Sequence, residues 1–168
     1  LSFLEDDRAH LNVLVRESGG GEGMWGSERT RGAMALMRVP LSAFGDGRGA
    51  AQREHYRVLP APVGYSVQNR FIGDWLLWGA HSGSRFNRPA DGPGSNAFAV
   101  RYADSAEPVT LSPGHAVERI EAMGADAVLV GNAGTDLTFS SVKLGRSAAT
   151  LAGRYVKPGA SQGESRTH

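Results

Sequence analysis

Two gapless copies of one short pattern constrain this chain more than any other feature: Asp74-Trp75-Leu76-Leu77-Trp78-Gly79 and Asp126-Ala127-Val128-Leu129-Val130-Gly131. Each follows a strand-like run that ends at glycine, Gln68–Gly73 before the first and Val117–Gly124 before the second. A weaker third copy opens the chain, with Phe3–Asp6 followed by Leu11–Val15. From each copy the same order continues: strand a, a tight turn, a short apolar strand b, a longer strand c and a short strand d. The predicted c strands are Ala33–Val39, Ala97–Tyr102 and Asp136–Leu144, and the d strands are Tyr56–Leu59, Pro108–Leu111 and Leu151–Val156. Glycine, proline and serine punctuate the chain throughout, and no capped amphipathic run of roughly 10 to 12 residues interrupts the pattern. The fold class expected is therefore all-β.

The b strands narrow this further. A sheet with one wetted face alternates apolar and polar residues, whereas Trp75–Trp78 and Ala127–Val130 are apolar on both sides, so both faces call for cover. Sheets stacked around an axis supply it, and a unit period of roughly 40 to 50 residues plus insertions fits a propeller blade. A β-sandwich is the competing architecture, but it would alternate on every strand. The expectation is a β-propeller segment of three four-stranded antiparallel blades, at 1–62, 63–114 and 115–158, with 159–168 as a further strand or tail. Three blades are too few for a ring, since propellers typically have four to eight. The chain also starts at Leu1 and stops in a polar stretch at His168, so it reads as a fragment, with its remaining blades in the same longer chain or in another copy.

Composition excludes several classes. The chain has 168 residues, a formal net charge of +1 and no cysteine. That balance lacks the basic excess of a nucleic-acid binder, so no nucleic-acid partner is expected. Disulfide scaffolds and thiolate metal sites are excluded outright. No apolar run approaches the roughly 20 residues of a transmembrane helix.

The segment Val117–Gly131 and the tail Gly153–His168 resemble bacterial proteins that carry a β-propeller domain distantly related to the WD40 type. That resemblance implies a secreted or envelope-associated, extracytoplasmic location and a binding or structural role. The Gly-His and Trp-Asp signatures of true WD40 repeats are read as absent, which argues against an intracellular hub function.

Candidate sites lie mostly in the connections. The b-to-c link is short in the third unit, Asn132-Ala133-Gly134, but runs from Glu17 to Gly32 in the first and from His81 to Ser95 in the second. In a meander all b-to-c links emerge on one face, where function usually sits on a rigid scaffold. Met24 and Trp25 in the first insertion, with Arg85, Phe86 and Arg88 in the second, are the candidate binding residues, because aromatic and arginine side chains dominate interface energetics. Gly159-Ala160-Ser161-Gln162-Gly163 matches a nucleophile elbow, which makes Ser161 the one candidate nucleophile. Its flanks fail the motif, with Pro158 before the serine and a polar stretch where a helix should follow. Gly21–Gly26 matches a dinucleotide fingerprint, yet Ala33–Val39 is too short for the helix that motif needs. Asp74 and Asp126 read as turn residues serving their own backbone. The histidines lack metal-ligand spacing, and no cofactor is assigned.

The function expected is a non-enzymatic propeller module that binds a protein, peptide or glycan through its long loops. The rival is a substrate-gating or site-bearing propeller domain of a hydrolase whose catalytic residues lie mostly outside these 168 residues.

Overall fold

The computed structural model describes residues 2–16, 33–45, 49, 51–64, 66–81 and 96–162. Every regular element among them is a strand except two single 3-10 turns, Leu41–Ala43 and Arg53–His55. The chain divides into two compact units, Leu1–Ala61 and Pro62–His168.

The first unit holds sheet I, built from β1 (Phe3–Glu5), β2 (His10–Arg16), β3 (Met34–Pro40) and β4 (Tyr56–Leu59) in sequence order. All its pairings are antiparallel. Alternation along β2 and β3 sorts the side chains onto two faces. One face carries Asn12, Leu14, Met34 and Leu36, all buried, and Leu59 joins them from β4. The other carries Phe3, Tyr56 and Val58, all exposed.

The second unit holds two sheets of the same plan. Sheet II is β5 (Ser66–Ile72), β6 (Trp75–His81), β7 (Ala97–Arg101) and β8 (Val109–Leu111). Sheet III is β9 (Arg119–Met123), β10 (Asp126–Ala133), β11 (Asp136–Leu144) and β12 (Ala149–Lys157). Each is an antiparallel meander in the order a, b, c, d, as the repeat predicts. The d strand of sheet III is longer than expected, and it carries a bulge opposite Ser141 and Val142. A bulge twists an edge strand and blunts its unpaired hydrogen-bonding groups against foreign strands.

Two-residue turns close the a-to-b hairpins, with Ile72 opposite Trp75 and Met123 opposite Asp126. Gly73 and Gly124 take the first loop position at φ of +53° and +67°, the left-handed region that the preferred hairpin turns require. These turns correct the sequence alignment by one residue. Asp74 lies in its turn, whereas Asp126 is the first residue of its strand, so the structural counterpart of Asp126 is Trp75. A shift of one residue exchanges the two faces of a strand.

Sheets II and III stack face to face over one core. Ile72, Trp75, Leu77, Ala97, Ala99 and Leu111 come from sheet II, and Ile120, Ala127, Leu129, Val142 and Ala149 come from sheet III. Complete burial of each large aliphatic side chain here contributes roughly 1.5 to 3 kcal/mol. Strand β5 runs beside β9 and β8 beside β12, so a lies on a and d on d. An ion pair from Arg70 Nη1 to Glu121 Oε2, 3.2 Å, spans the two a strands.

The expectation of two-sided burial holds for β6 and only in part for β10. Trp75 to Ala80 are buried on both faces, and Trp78 stacks on Phe98 with ring centroids 5.4 Å apart. In β10 Ala127 and Leu129 are buried, and on the opposite face Val130 is buried while Val128 is only half-buried. Sheet III therefore has one covered face and one largely open face.

Candidate functional site

The five candidate binding residues, Met24, Trp25, Arg85, Phe86 and Arg88, lie outside the described residues. Ser161 is described, and it sits exposed on the tail that follows β12. Two bonds hold that tail to the β10–β11 hairpin: the Gly159 N–H donates to Asp136 Oδ1 at 3.0 Å, and Asn132 Nδ2 donates to the Ala160 carbonyl at 3.2 Å. A nucleophile elbow needs a buried strand ahead of its serine, yet β12 is exposed from Thr150 to Lys157.

The most ordered polar site in the second unit is one that sequence reasoning missed. The strap between β8 and β9 carries Gly114-His115-Ala116-Val117-Glu118. Its backbone bonds to both central strands: Val117 N–H to the Ala80 carbonyl of β6, Ala116 N–H to the Asn132 carbonyl and Glu118 N–H to the Val130 carbonyl of β10. The Val117 side chain fills the space above Gly79, where any Cβ would meet it at 2.9 Å. Gly131 is required in the same way, because a Cβ there would overlap the Ala116 carbonyl oxygen. Both glycines thus mark close backbone approach rather than loop freedom.

His115 anchors the strap. Its Nδ1 lies 2.7 Å from the Ala116 carbonyl and its Nε2 lies 2.8 Å from Ser140 Oγ. A carbonyl only accepts, so Nδ1 carries the proton and Nε2 accepts from the Ser140 hydroxyl. Burial pushes the imidazole below its ordinary value of 6.5, assisted by the Arg154 charge and opposed by the bond to Ala116. A neutral histidine accepting from a serine hydroxyl is the local geometry of a nucleophile and its base. Here it is sealed, with His115 1% and Ser140 3% exposed, so no substrate reaches it. The pair satisfies buried polar groups and fixes the strap.

An open hollow in this unit lies at the turn end of the sheets. It encloses about 500 Å³ and is lined by Asp74, Arg101, Asp104, Ala106, Arg146 and Ser147. Arg101 occupies its centre, bonded to Asp104 Oδ2 at 2.7 Å, to Asp74 Oδ2 at 3.4 Å and to the Arg146 carbonyl. Trp75 Nε1 donates to the neighbouring Gly145 carbonyl at 3.0 Å. Partners from sheet II and from the β11–β12 turn of sheet III meet on this guanidinium, which makes the cluster a clamp between sheets II and III. Asp74 and Asp126 accordingly do not serve their own turns through their carboxylates. Asp126 accepts from Lys143 Nζ at 2.6 Å and from the Leu144 N–H at 3.0 Å, and those bonds, Lys143 foremost, lower its pKa.

In the first unit a single carboxylate organises the β1–β2 turn. Asp6 Oδ1 accepts from the Arg8 and His10 N–H groups, and Oδ2 from Asn12 Nδ2 at 3.0 Å and Arg38 Nη2 at 2.8 Å. Burial alone raises its pKa, but the four hydrogen bonds outweigh that and hold it at about 2.

Comparison with protein-family models, with curated proteins and with solved structures returned no match. Among the described residues no helix is long and apolar enough to cross a membrane.

Proposed function

We propose that the chain is a non-enzymatic β-propeller module of a bacterial extracytoplasmic protein, which binds a protein, peptide or glycan through its long b-to-c connections. One observation carries the reading: sheets II and III are successive a-b-c-d meanders stacked in parallel order through unlike faces. Blades of a propeller repeat in this way, whereas the sheets of an immunoglobulin-type sandwich exchange strands by Greek-key links. The sealing of His115 and Ser140 and the pairing of Arg101 with Asp74 and Asp104 favour binding over catalysis among the described groups. The bacterial, extracytoplasmic assignment rests on the resemblance of Val117–Gly131 and Gly153–His168.

Both long links, 17–33 and 82–96, join a b strand to a c strand, at the end of the sheet opposite the a-to-b turn. Sheet III makes the same join with two residues, Gly134 and Thr135. The test is to replace residues 82–95 with Asn-Gly and, separately, residues 17–32 with Asn-Gly, then to probe peptide and glycan arrays. Strand content should persist, because loop length alters closure entropy only slowly, while array binding should fall at least tenfold. Binding that survives both replacements overturns the loop-borne reading.

A further inference from the structure

The residues that close an a-to-b turn mark one face of each sheet. They are Ile72 and Trp75 in sheet II, and Met123 and Asp126 in sheet III. Sheet II contributes its turn-closing face to the shared core, through Ile72, Trp75 and Leu77. Sheet III contributes the opposite face, through Ile120, Ala127 and Leu129. The turn-closing face of sheet III is therefore left over. It is apolar at its centre, with Val130 buried, Val128 and Phe139 half-buried, Phe139 against Tyr155 at 5.9 Å, and Met123 and Tyr155 57% and 63% exposed.

Sheet I leaves over the other kind of face. Its β1–β2 turn is closed by Asp6 and His10, with the Asp6 N–H donating to the His10 carbonyl at 2.9 Å. The face shared with His10 carries the buried Asn12, Leu14, Leu36 and Met34. The opposite face presents Phe3, Tyr56 and Val58 at 72%, 41% and 77% exposure.

We propose that these two faces form a joint between copies of this chain, the turn-closing face of sheet III in one copy packing against the opposite face of sheet I in a second. The proposal rests on the propeller reading, in which sheets II and III stack through unlike faces. Its basis is that the chain exposes one face of each kind, the same two kinds that it buries against each other between sheets II and III. Large apolar side chains exposed on a sheet face, such as Tyr155 and Met123 here and Phe3, Tyr56 and Val58 on sheet I, are what an interaction surface presents. A joint between unlike faces is heterologous, so it closes into a ring or propagates.

Light scattering coupled to size exclusion tests this on the 168-residue chain. The expected mass is twice 17.8 kDa or a higher multiple. Tyr155→Glu and Met123→Glu on sheet III, and Val58→Glu on sheet I, should each give monomers with unchanged circular dichroism, because these side chains are exposed. An equal mixture of Tyr155→Glu and Val58→Glu chains retains one intact joint and should return to a dimer. A dimer that withstands Val58→Glu but is broken by Tyr155→Glu means that sheet III pairs with itself, and it overturns the proposal. A wild-type chain that is monomeric at every concentration also overturns it. That result leaves the stacking of sheets II and III standing, which fails only if the core contacts between them are absent in solution.

Discussion

Strands β6 and β10 hold the same place in their sheets, yet they differ in what surrounds them. Trp75 to Ala80 are buried without interruption, whereas β10 buries Ala127 and Leu129 and leaves Val128 half-covered. The difference is not one of local sequence, since both strands are apolar on both sides. It reflects position: one face of sheet III packs on sheet II in the shared core, whereas the opposite face buries Val130 and leaves Val128 half-covered.

The largest effect that sharpens this contrast is at Trp78. The side chain is fully buried and stacked on Phe98, so Trp78→Ala should cost about 3 to 5 kcal/mol in denaturant unfolding. Val128→Ala at β10 should cost about 1 kcal/mol, as ordinary substitutions do. Equal losses at the two positions would erase the distinction between the strands. Next comes Gly131→Ala, in which the new methyl displaces the strap at Ala116. Overpacking of this kind costs about 1 to 3 kcal/mol, and hydrogen exchange should rise at Val117 and Glu118 before it rises elsewhere. Unchanged protection there would detach the strap from β10.

His115 gives a smaller, pH-dependent difference. Its folded pKa is depressed, so below about 6.5 the unfolded chain binds a proton that the folded one rejects, and stability falls as the pH falls. Subtracting the profile of His115→Gln should isolate this loss between neutral pH and about pH 5. A difference curve that is flat there would mean the ring is not held neutral. The smallest effect belongs to Asp126→Asn. It removes the partly exposed ion pair to Lys143 and weakens acceptance from the Leu144 N–H, and the melting temperature should drop slightly and less at high salt.

The four-strand order was legible because glycine turns and apolar runs recur in phase, and the two c and d strands Asp136–Leu144 and Tyr56–Leu59 were read from these signals alone. The facing of the strands was not legible. Trp75–Trp78 and Ala127–Val130 lack alternation, and alternation is the signal that assigns a face. Matching Asp74 to Asp126 then placed the register one residue out, an error that only the turn geometry at Gly73 and Gly124 reveals. His115 was missed for a different reason. A strap of five residues has no period, and the Gly114-His115 pair becomes meaningful only once Ser140 and Gly131 are seen beneath it. Gly114-His115 is also a Gly-His dipeptide, so one of the two dipeptides expected to be absent does occur in the sequence. Asp6 likewise gave no motif, since its partner Arg38 lies on another strand.

The central claim is that sheets II and III pack through unlike faces, and methyl-resolved NOE spectroscopy tests it most directly. Cross-peaks should join the Leu77 and Ala99 methyls to those of Ala127, Leu129 and Val142, which share one core. Cross-peaks from Leu77 to Val128 instead, with none to Leu129, would set the two turn-closing faces together and contradict the account.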